Sequence, residues 1–274
     1  IGDQAGYSLS TSSEGNENVM IGNTAGQYAD AATNAAHYNV YIGSGAGTYM
    51  DDGDSNVYIG REAGKGSGTG NNATINVLIG YQAGTSTSTG DAETAIGYQA
   101  AYSLTTGGYN SSLWHKALYY NEAGTSAVAI GSNAGYSFGR GGHSAQGSIF
   151  LGNTAGYYAT GSYNTFVGSE AGKGGTTSAP FSSGEYNVAI GYQALNSFTT
   201  ADKCVAIGYG AGKAHQTAAW GVYIGYEAGN DVTTGAQNVL IGGDAGAKLT
   251  TADRNIAIGG AALQTATTGG SNTV

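Results

Sequence analysis

Five tyrosines stand at one phase of this chain. Tyr81 and Tyr98, then Tyr192, Tyr209 and Tyr226, each follow an Ile-Gly pair directly. His115 extends the first series, behind Trp114 instead of glycine. If consecutive copies stack, the rings form two exposed ladders, and aromatic faces in a row suit sugar rings, whose C–H groups meet the negative π face. Like residues in register also simply stabilise neighbouring strands, which is the commoner use of such a pattern.

Other candidates lie where the pattern breaks. Trp114 replaces glycine at a position expected to need positive φ, where a bulky side chain is costly. A remodelled corner with the ring outside is therefore expected there. Two irregular stretches, Tyr136–His143 with Arg140 and Lys173–Gly184 with Pro180 and Phe181, are expected as surface loops. They are candidate receptor contacts, although surface loops also accept insertions at little cost.

No catalytic set emerges. Carboxylates recur two residues after the glycine (Glu62, Glu170, Glu227, Asp244), but Gln and Thr replace them there, which argues against acid–base work. The acidic turn Asp51–Asp54 fits neither the EF-hand nor the glycine-rich calcium repeat. His37, His115, His143 and His215 share no metal-like spacing, and Cys204 is expected as an inert, partly buried thiol. Neither cofactor nor metal is expected.

These residues are positioned by a repeat. The averaged unit is Asn-Val-x-Ile-Gly-x-Gln-Ala-Gly-x-x-Leu-Thr-Thr-Gly-x-x. Its central glycine recurs at Gly2, Gly22, Gly43, Gly60, Gly80 and Gly97. After the Trp114 copy it resumes at Gly131, Gly152, Gly168, Gly191, Gly208, Gly225, Gly242 and Gly259. Most intervals are 17 residues, and the rest run from 16 to 23. A fixed period of this size marks a solenoid.

Composition alone would mislead. Leu, Ile, Val and Phe total 42 of 274 residues, a fraction associated with disorder. Disordered chains do not hold their few aliphatics in register, so the period decides. The net charge of -9 and the lack of a basic stripe exclude a nucleic-acid footprint. One cysteine excludes an internal disulfide framework, and no apolar run is long enough to span a membrane.

Counting from the glycine, position −3 is mostly Val, −1 is always aliphatic and −2 varies among Tyr, Leu, Ala, Met and Phe. That alternation indicates a strand with one packed face, and the constant −3 and −1 side chains are expected inside. The glycine turns a corner. The Ala at +3 points inward where only a methyl fits. A second short strand is expected over Leu-Thr-Thr, with position +7 (Leu9, Leu104, Phe138, Phe198, Val232, Leu249) inside. The Asn at −4 is expected to form a structural ladder. One unit offers three large apolar side chains, at roughly 1.5–3 kcal/mol each, against about 1–2 kcal/mol of backbone entropy per residue. Only stacked coils are stable, and so thin a core can be enlarged by three chains sharing it about one axis.

The string Asn187-Val-Ala-Ile-Gly-Tyr-Gln-Ala-Leu195 resembles the head repeats of trimeric autotransporter adhesins. More closely, Ile96-Gly-Tyr-Gln-Ala-Ala-Tyr-Ser-Leu-Thr-Thr-Gly107 and Gly191-Tyr-Gln-Ala-Leu-Asn-Ser-Phe-Thr-Thr200 resemble the repeats of phage tail fibres and related surface fibres. The resemblance covers nearly the whole chain. It implies a left-handed, homotrimeric fibre that presents attachment sites to a cell surface. The autotransporter unit is shorter and usually lacks the Ala-Gly pair.

The expected architecture is therefore all-β: a parallel β-solenoid of about fifteen coils with a 17-residue repeat, left-handed and trimeric. It runs continuously over residues 1–274. Both ends cut through a repeat, so a segment of a longer fibre protein is expected. The expected function is structural: attachment of a phage tail fibre, or a related surface fibre, to a host cell. A cellular extracellular filament or surface-layer adhesin is the alternative. A carbohydrate-active β-helix enzyme stands third, since it needs paired carboxylates on one face. The expected partners are copies of the chain and a cell-surface glycan or other receptor, with no nucleic acid and no membrane insertion. The expected location is extracellular.

Overall fold

The computed structural model describes residues 1–7, 17–29, 36–68, 70–175 and 181–274. Leu9, Pro180 and the stretch 176–180 of the second irregular loop lie outside the described residues. Each repeat from Gly22 onward contributes one three-residue strand ending just before its corner residue. The chain is an all-β parallel β-solenoid, and it divides into two compact units.

Unit 1 comprises Ile1–Ser132 and Gly139–Ser144. It carries β1 (Val19–Ile21), β2 (Val40–Ile42), β3 (Val57–Ile59), β4 (Val77–Ile79), β5 (Thr94–Ile96), β6 (Ser111–Leu113) and β7 (Val128–Ile130). Unit 2 comprises Asn133–Phe138 and Ala145–Val274. It carries β8 (Ile149–Leu151), β9 (Thr165–Val167), β10 (Val188–Ile190), β11 (Val205–Ile207), β12 (Val222–Ile224), β13 (Val239–Ile241) and β14 (Ile256–Ile258). Within each unit the strands pair in chain order, parallel and in register. Ile59 pairs with Ile79 and Ile79 with Ile96; Ile190, Ile207 and Ile224 align in the same way.

The aliphatics superpose along lines, but they face outward. The variable −2 residues are the buried ones: Tyr41, Tyr58, Leu78, Ala95, Phe150, Phe166, Tyr223 and Leu240 are fully enclosed. The −3 and −1 residues are half-buried or exposed. This reverses the expected parity. The physical reason is the volume available inside each coil. In several coils a small −2 residue accompanies a large +7 residue, as with Ala95 and Leu104 or Ala189 and Phe198, and Phe150 accompanies Ala159; Tyr41 with Met50 and Leu240 with Leu249 are large at both positions, all of them buried. Interiors must be filled to near-crystalline density, and a small ring of chain meets that by trading size between two positions. Part of the variation at −2 is therefore compensated packing.

Other expectations hold. The +3 alanines from Ala25 to Ala245 are buried, as are Leu104, Phe138, Phe198, Val232 and Leu249 at +7. The corner glycines have φ between 126° and 142°. A Cβ on Gly208 would lie 2.3 Å from the Gly225 carbonyl oxygen, so both positive φ and the closeness of the next coil require glycine. The Leu-Thr-Thr stretch is not a strand. It is a series of turns tied to the next coil by single backbone bonds, such as Thr233 N–H to Thr250 O at 2.8 Å.

Candidate binding surface

The outer face is organised by the same alternation. Val at −3 and Ile at −1 form two parallel aliphatic lines on each sheet. Among the strand residues exposure reaches 45% at Val19 in unit 1 and 61% at Ile258 in unit 2. Just past the corner, the +1 side chain leaves the same side. Tyr81 and Tyr98 stack at 5.3 Å and 9°, and Tyr98 and His115 at 5.3 Å and 8°. The Arg61 guanidinium, at the same position one coil earlier, lies 5.8 Å from the Tyr81 centroid and caps the series. In unit 2, Tyr192 and Tyr209 stack at 5.4 Å, and Tyr209 and Tyr226 at 5.2 Å. A ring stacked on both sides shows its edge and hydroxyl to solvent. Open aromatic faces exist only at the ladder ends.

Trp114 is 68% exposed, with its ring outside as expected. Its corner is less remodelled than expected. The Trp114 N–H still donates to Ile96 O at 2.8 Å, and φ is 100°, eased from 142° at Gly97 and 134° at Gly131. Arg140 opens a one-turn 3-10 helix, Arg140–Gly142, and its guanidinium lies 4.1 Å from the Tyr120 centroid. Phe181 stacks on Tyr158 at 6.4 Å. Both lie beside other tyrosine stacks: Tyr120 meets Tyr119, which stacks on Tyr102, and Tyr158 meets Tyr157, which stacks on Tyr136.

Several surface stacks escaped the sequence reading, including tyrosine pairs at +5, Tyr102 on Tyr119 at 5.0 Å and Tyr136 on Tyr157 at 4.6 Å. Position −5 carries Tyr38, Tyr109, Tyr163, Tyr186 and Trp220, all left-handed with φ from 58° to 69°. There Tyr163 stacks on Tyr186 at 5.1 Å, and Lys203 lies 4.8 Å from the Trp220 ring. Position +2 is also left-handed and forms an amide ladder. Gln82 Nε2 donates to Glu62 at 2.7 Å, Gln99 Nε2 to Gln82 at 2.8 Å, and Gln193 Nε2 to Glu170 at 3.0 Å. The Gln82 bond, with Lys65 nearby, holds the Glu62 carboxyl below its ordinary pKa. The only sequence signal for this ladder was the exchange of Gln for Glu at a fixed phase.

Buried polar groups clamp successive coils. Each −4 Asn accepts the backbone N–H 17 or more residues ahead and donates Nδ2 to a carbonyl of the next coil. Asn76 does so to Glu93 N–H at 2.7 Å and Gly90 O at 2.8 Å. Glu93 takes an Asn position in unit 1, and burial pushes its pKa up to about 8 against the opposing Asn110 bonds. Cys204 takes one in unit 2, buried as expected, with burial raising the thiol pKa to about 11.

The structure adds a partner that spacing did not indicate. His215 occupies the apolar +7 position of the same coil, and its Nε2 lies 3.5 Å from Cys204 Sγ. Nε2 also lies 2.8 Å from Ala218 O, and the Tyr223 hydroxyl is 3.2 Å from Nδ1. This set fits a neutral imidazole that donates through Nε2 and accepts the tyrosine proton at Nδ1. Burial lowers the His215 pKa. The raised thiol and lowered imidazole pKa fit a neutral pair that bridges core turns.

The acidic turn serves the backbone. Asp54 Oδ1 accepts the His37 N–H at 2.7 Å, and Asp51 accepts the Gly70 N–H. Among the described residues no group of three or more His, Cys, Asp or Glu side chains is placed to hold a metal ion, and no helix is long and apolar enough to cross a membrane. No protein-family model matches the chain, and neither a curated protein nor a solved structure is detectably similar to it.

Proposed function

We propose that this chain is a structural segment of an extracellular attachment fibre, of the phage tail-fibre type or a related surface fibre, built from three copies that share one apolar core. The observation that supports this is the outward aliphatic face. Seven strands in each unit present mainly Val at −3 and Ile at −1, in register, on a sheet face that is half-exposed to exposed among the described residues. Soluble monomers rarely leave apolar patches larger than a few hundred Å² bare. A second and third copy offer the same face, which closed symmetry can bury.

Each chain also fills its own interior, so the shared core adds to a coil that is already closed. The repeat resemblance supplies the attachment role, with a cell-surface glycan or other receptor as partner. Size-exclusion chromatography with light scattering tests the assembly, and adhesion of labelled chain to whole cells tests the role. A cellular filament is the alternative, and electron microscopy of purified material distinguishes discrete fibres from end-to-end polymers.

A further inference from the structure

We propose that unit 2 holds a binding site for a neutral oligosaccharide where its tyrosine ladder ends, at the open face of Tyr226. The inference rests on the attachment reading for its biological use, though its chemistry stands on the residues themselves. The ladder runs Tyr192, Tyr209, Tyr226 and then stops, because the same position in the next two coils is Gly243 and Gly260. One face of Tyr226 is covered by Tyr209. The other looks over Gly243, where a Cβ would meet nothing within 4 Å. Tyr226 is 56% exposed, more than either ring above it. In unit 1 the opposite end of the ladder, the face of Tyr81 toward the preceding coil, is closed by Arg61, and the end toward the following coil is His115, not a tyrosine.

A half-open surface cleft of about 460 Å³, which Tyr226 itself does not line, begins at the next residue, Glu227, and is lined further by Lys213, Asn230, Asp244 and Lys248. That size falls within the roughly 300–1,000 Å³ of small-ligand sites. Glu227 lies against Tyr226, and its charge raises the phenol pKa. Elsewhere the +2 carboxylates are satisfied by a Gln one coil on, as Glu62 is by Gln82. Glu227 and Asp244 follow each other with no Gln at +2 in the adjoining coils, which carry Gly210 and Ala261.

The lining therefore mixes carboxylate acceptors with ammonium and amide donors, and neither sign dominates. A polyhydroxylated, uncharged ligand matches that mixture: its hydroxyls both donate and accept, and its C–H face packs on an open aromatic ring. An anion would meet Glu227 and Asp244.

The test uses the whole chain with maltohexaose, cellohexaose and chitohexaose, read by saturation-transfer NMR and calorimetry. At least one hexasaccharide binds the native chain. Tyr226→Ala weakens it tenfold or more. So does Gly243→Tyr, which extends the ladder over the open face at a position free of positive φ and of clashes. Gly243→Ser and Tyr81→Ala change affinity less than twofold. Circular dichroism of Gly243→Tyr confirms that the fold survives. Failure of all three sugars to bind, or binding unchanged in Gly243→Tyr, overturns the site. A chain that adheres to cells but binds none of the sugars keeps the attachment reading and loses this site. A chain that binds sugar through Tyr226 without adhering to cells keeps the site and loses that reading.

Discussion

Glu93 Oε1 accepts two hydrogen bonds from Asn110, 3.2 Å from its backbone nitrogen and 2.6 Å from its Nδ2. Glu93 thus does the work of a ladder Asn with a titratable group, and its other oxygen, Oε2, is buried without a partner. Its folded pKa of about 8 lies above the ordinary 4.5, so the native state holds the proton more tightly than the unfolded chain. The resulting stability is full below about pH 4.5 and is lost as pH rises through 8. Glu93→Gln should remove this dependence and stabilise unit 1 at pH 8.5 by a few kcal/mol, at about 1.4 kcal/mol per pKa unit. Amide exchange of β5 at pH 5 and pH 8.5 checks it.

His215 predicts the opposite slope in unit 2. Its pKa is lowered by burial, so its contribution is present above about pH 6.5 and is lost as pH falls below that value. Exchange of the β11 and β12 amides, corrected for intrinsic rate, should accelerate at pH 5 relative to pH 7. The raised pKa of Cys204 predicts that iodoacetamide labels it at least a hundredfold more slowly in the native than in the unfolded chain at pH 8.

The asparagine ladder should dominate the polar contribution to coil stacking. Asn238 Nδ2 donates to Ala252 O at 2.7 Å, and its Oδ1 accepts Asn255 N–H at 2.9 Å. Asn238→Ala orphans both partners and should cost about 2–5 kcal/mol, from roughly 1–3 kcal/mol per buried unsatisfied group. Asn238→Ser should cost less, because Ser148 already accepts the Asn164 N–H in this role at 3.1 Å. Urea unfolding of the two variants measures the difference.

Trp114→Gly should stabilise the chain by about 1–3 kcal/mol, the strain typical of a non-glycine residue held at an unfavourable positive φ. Thermal unfolding should show a higher midpoint, and no loss of glycan binding should accompany it.

Much of this fold was legible in the sequence, and the misreadings have a common cause. The period, the corner glycines, the buried +3 alanines and the Asn ladder all follow from fixed residue types at fixed phase. The direction of Val57 and Ile59 did not. Constancy of type usually marks a core, but here the constant residues lie on the outer face, while the enclosed −2 position, Tyr58 in this coil, varies in size, in several coils against +7. The tyrosine ladders were legible as ladders; that their faces are covered except at the ends required coordinates. The Cys204–His215–Tyr223 contact joins two positions that break the repeat, Cys204 at −4 and His215 at +7, to the ordinary −2 tyrosine of the next coil. Along the chain Cys204 and Tyr223 stand 11 and 8 residues from His215, and only the fold brings their polar atoms together. Gly243 escaped notice because glycine at a variable position looks like ordinary turn chemistry.

The outward direction of the aliphatics makes a sharp forecast for substitution. Ile207→Lys with Ile224→Lys should leave the circular dichroism of the coil unchanged while separating the copies, because both side chains point away from the chain's own interior. A packed-core isoleucine changed to lysine would instead unfold the unit through an unpaired buried charge.

Native mass spectrometry of the chain at micromolar concentration tests the central claim most directly. Sharing of the Val and Ile face predicts a particle of three 27.3 kDa chains that falls to a folded monomer in the double lysine variant. A native chain that is monomeric across that concentration range, with its aliphatic face open to solvent, would contradict it.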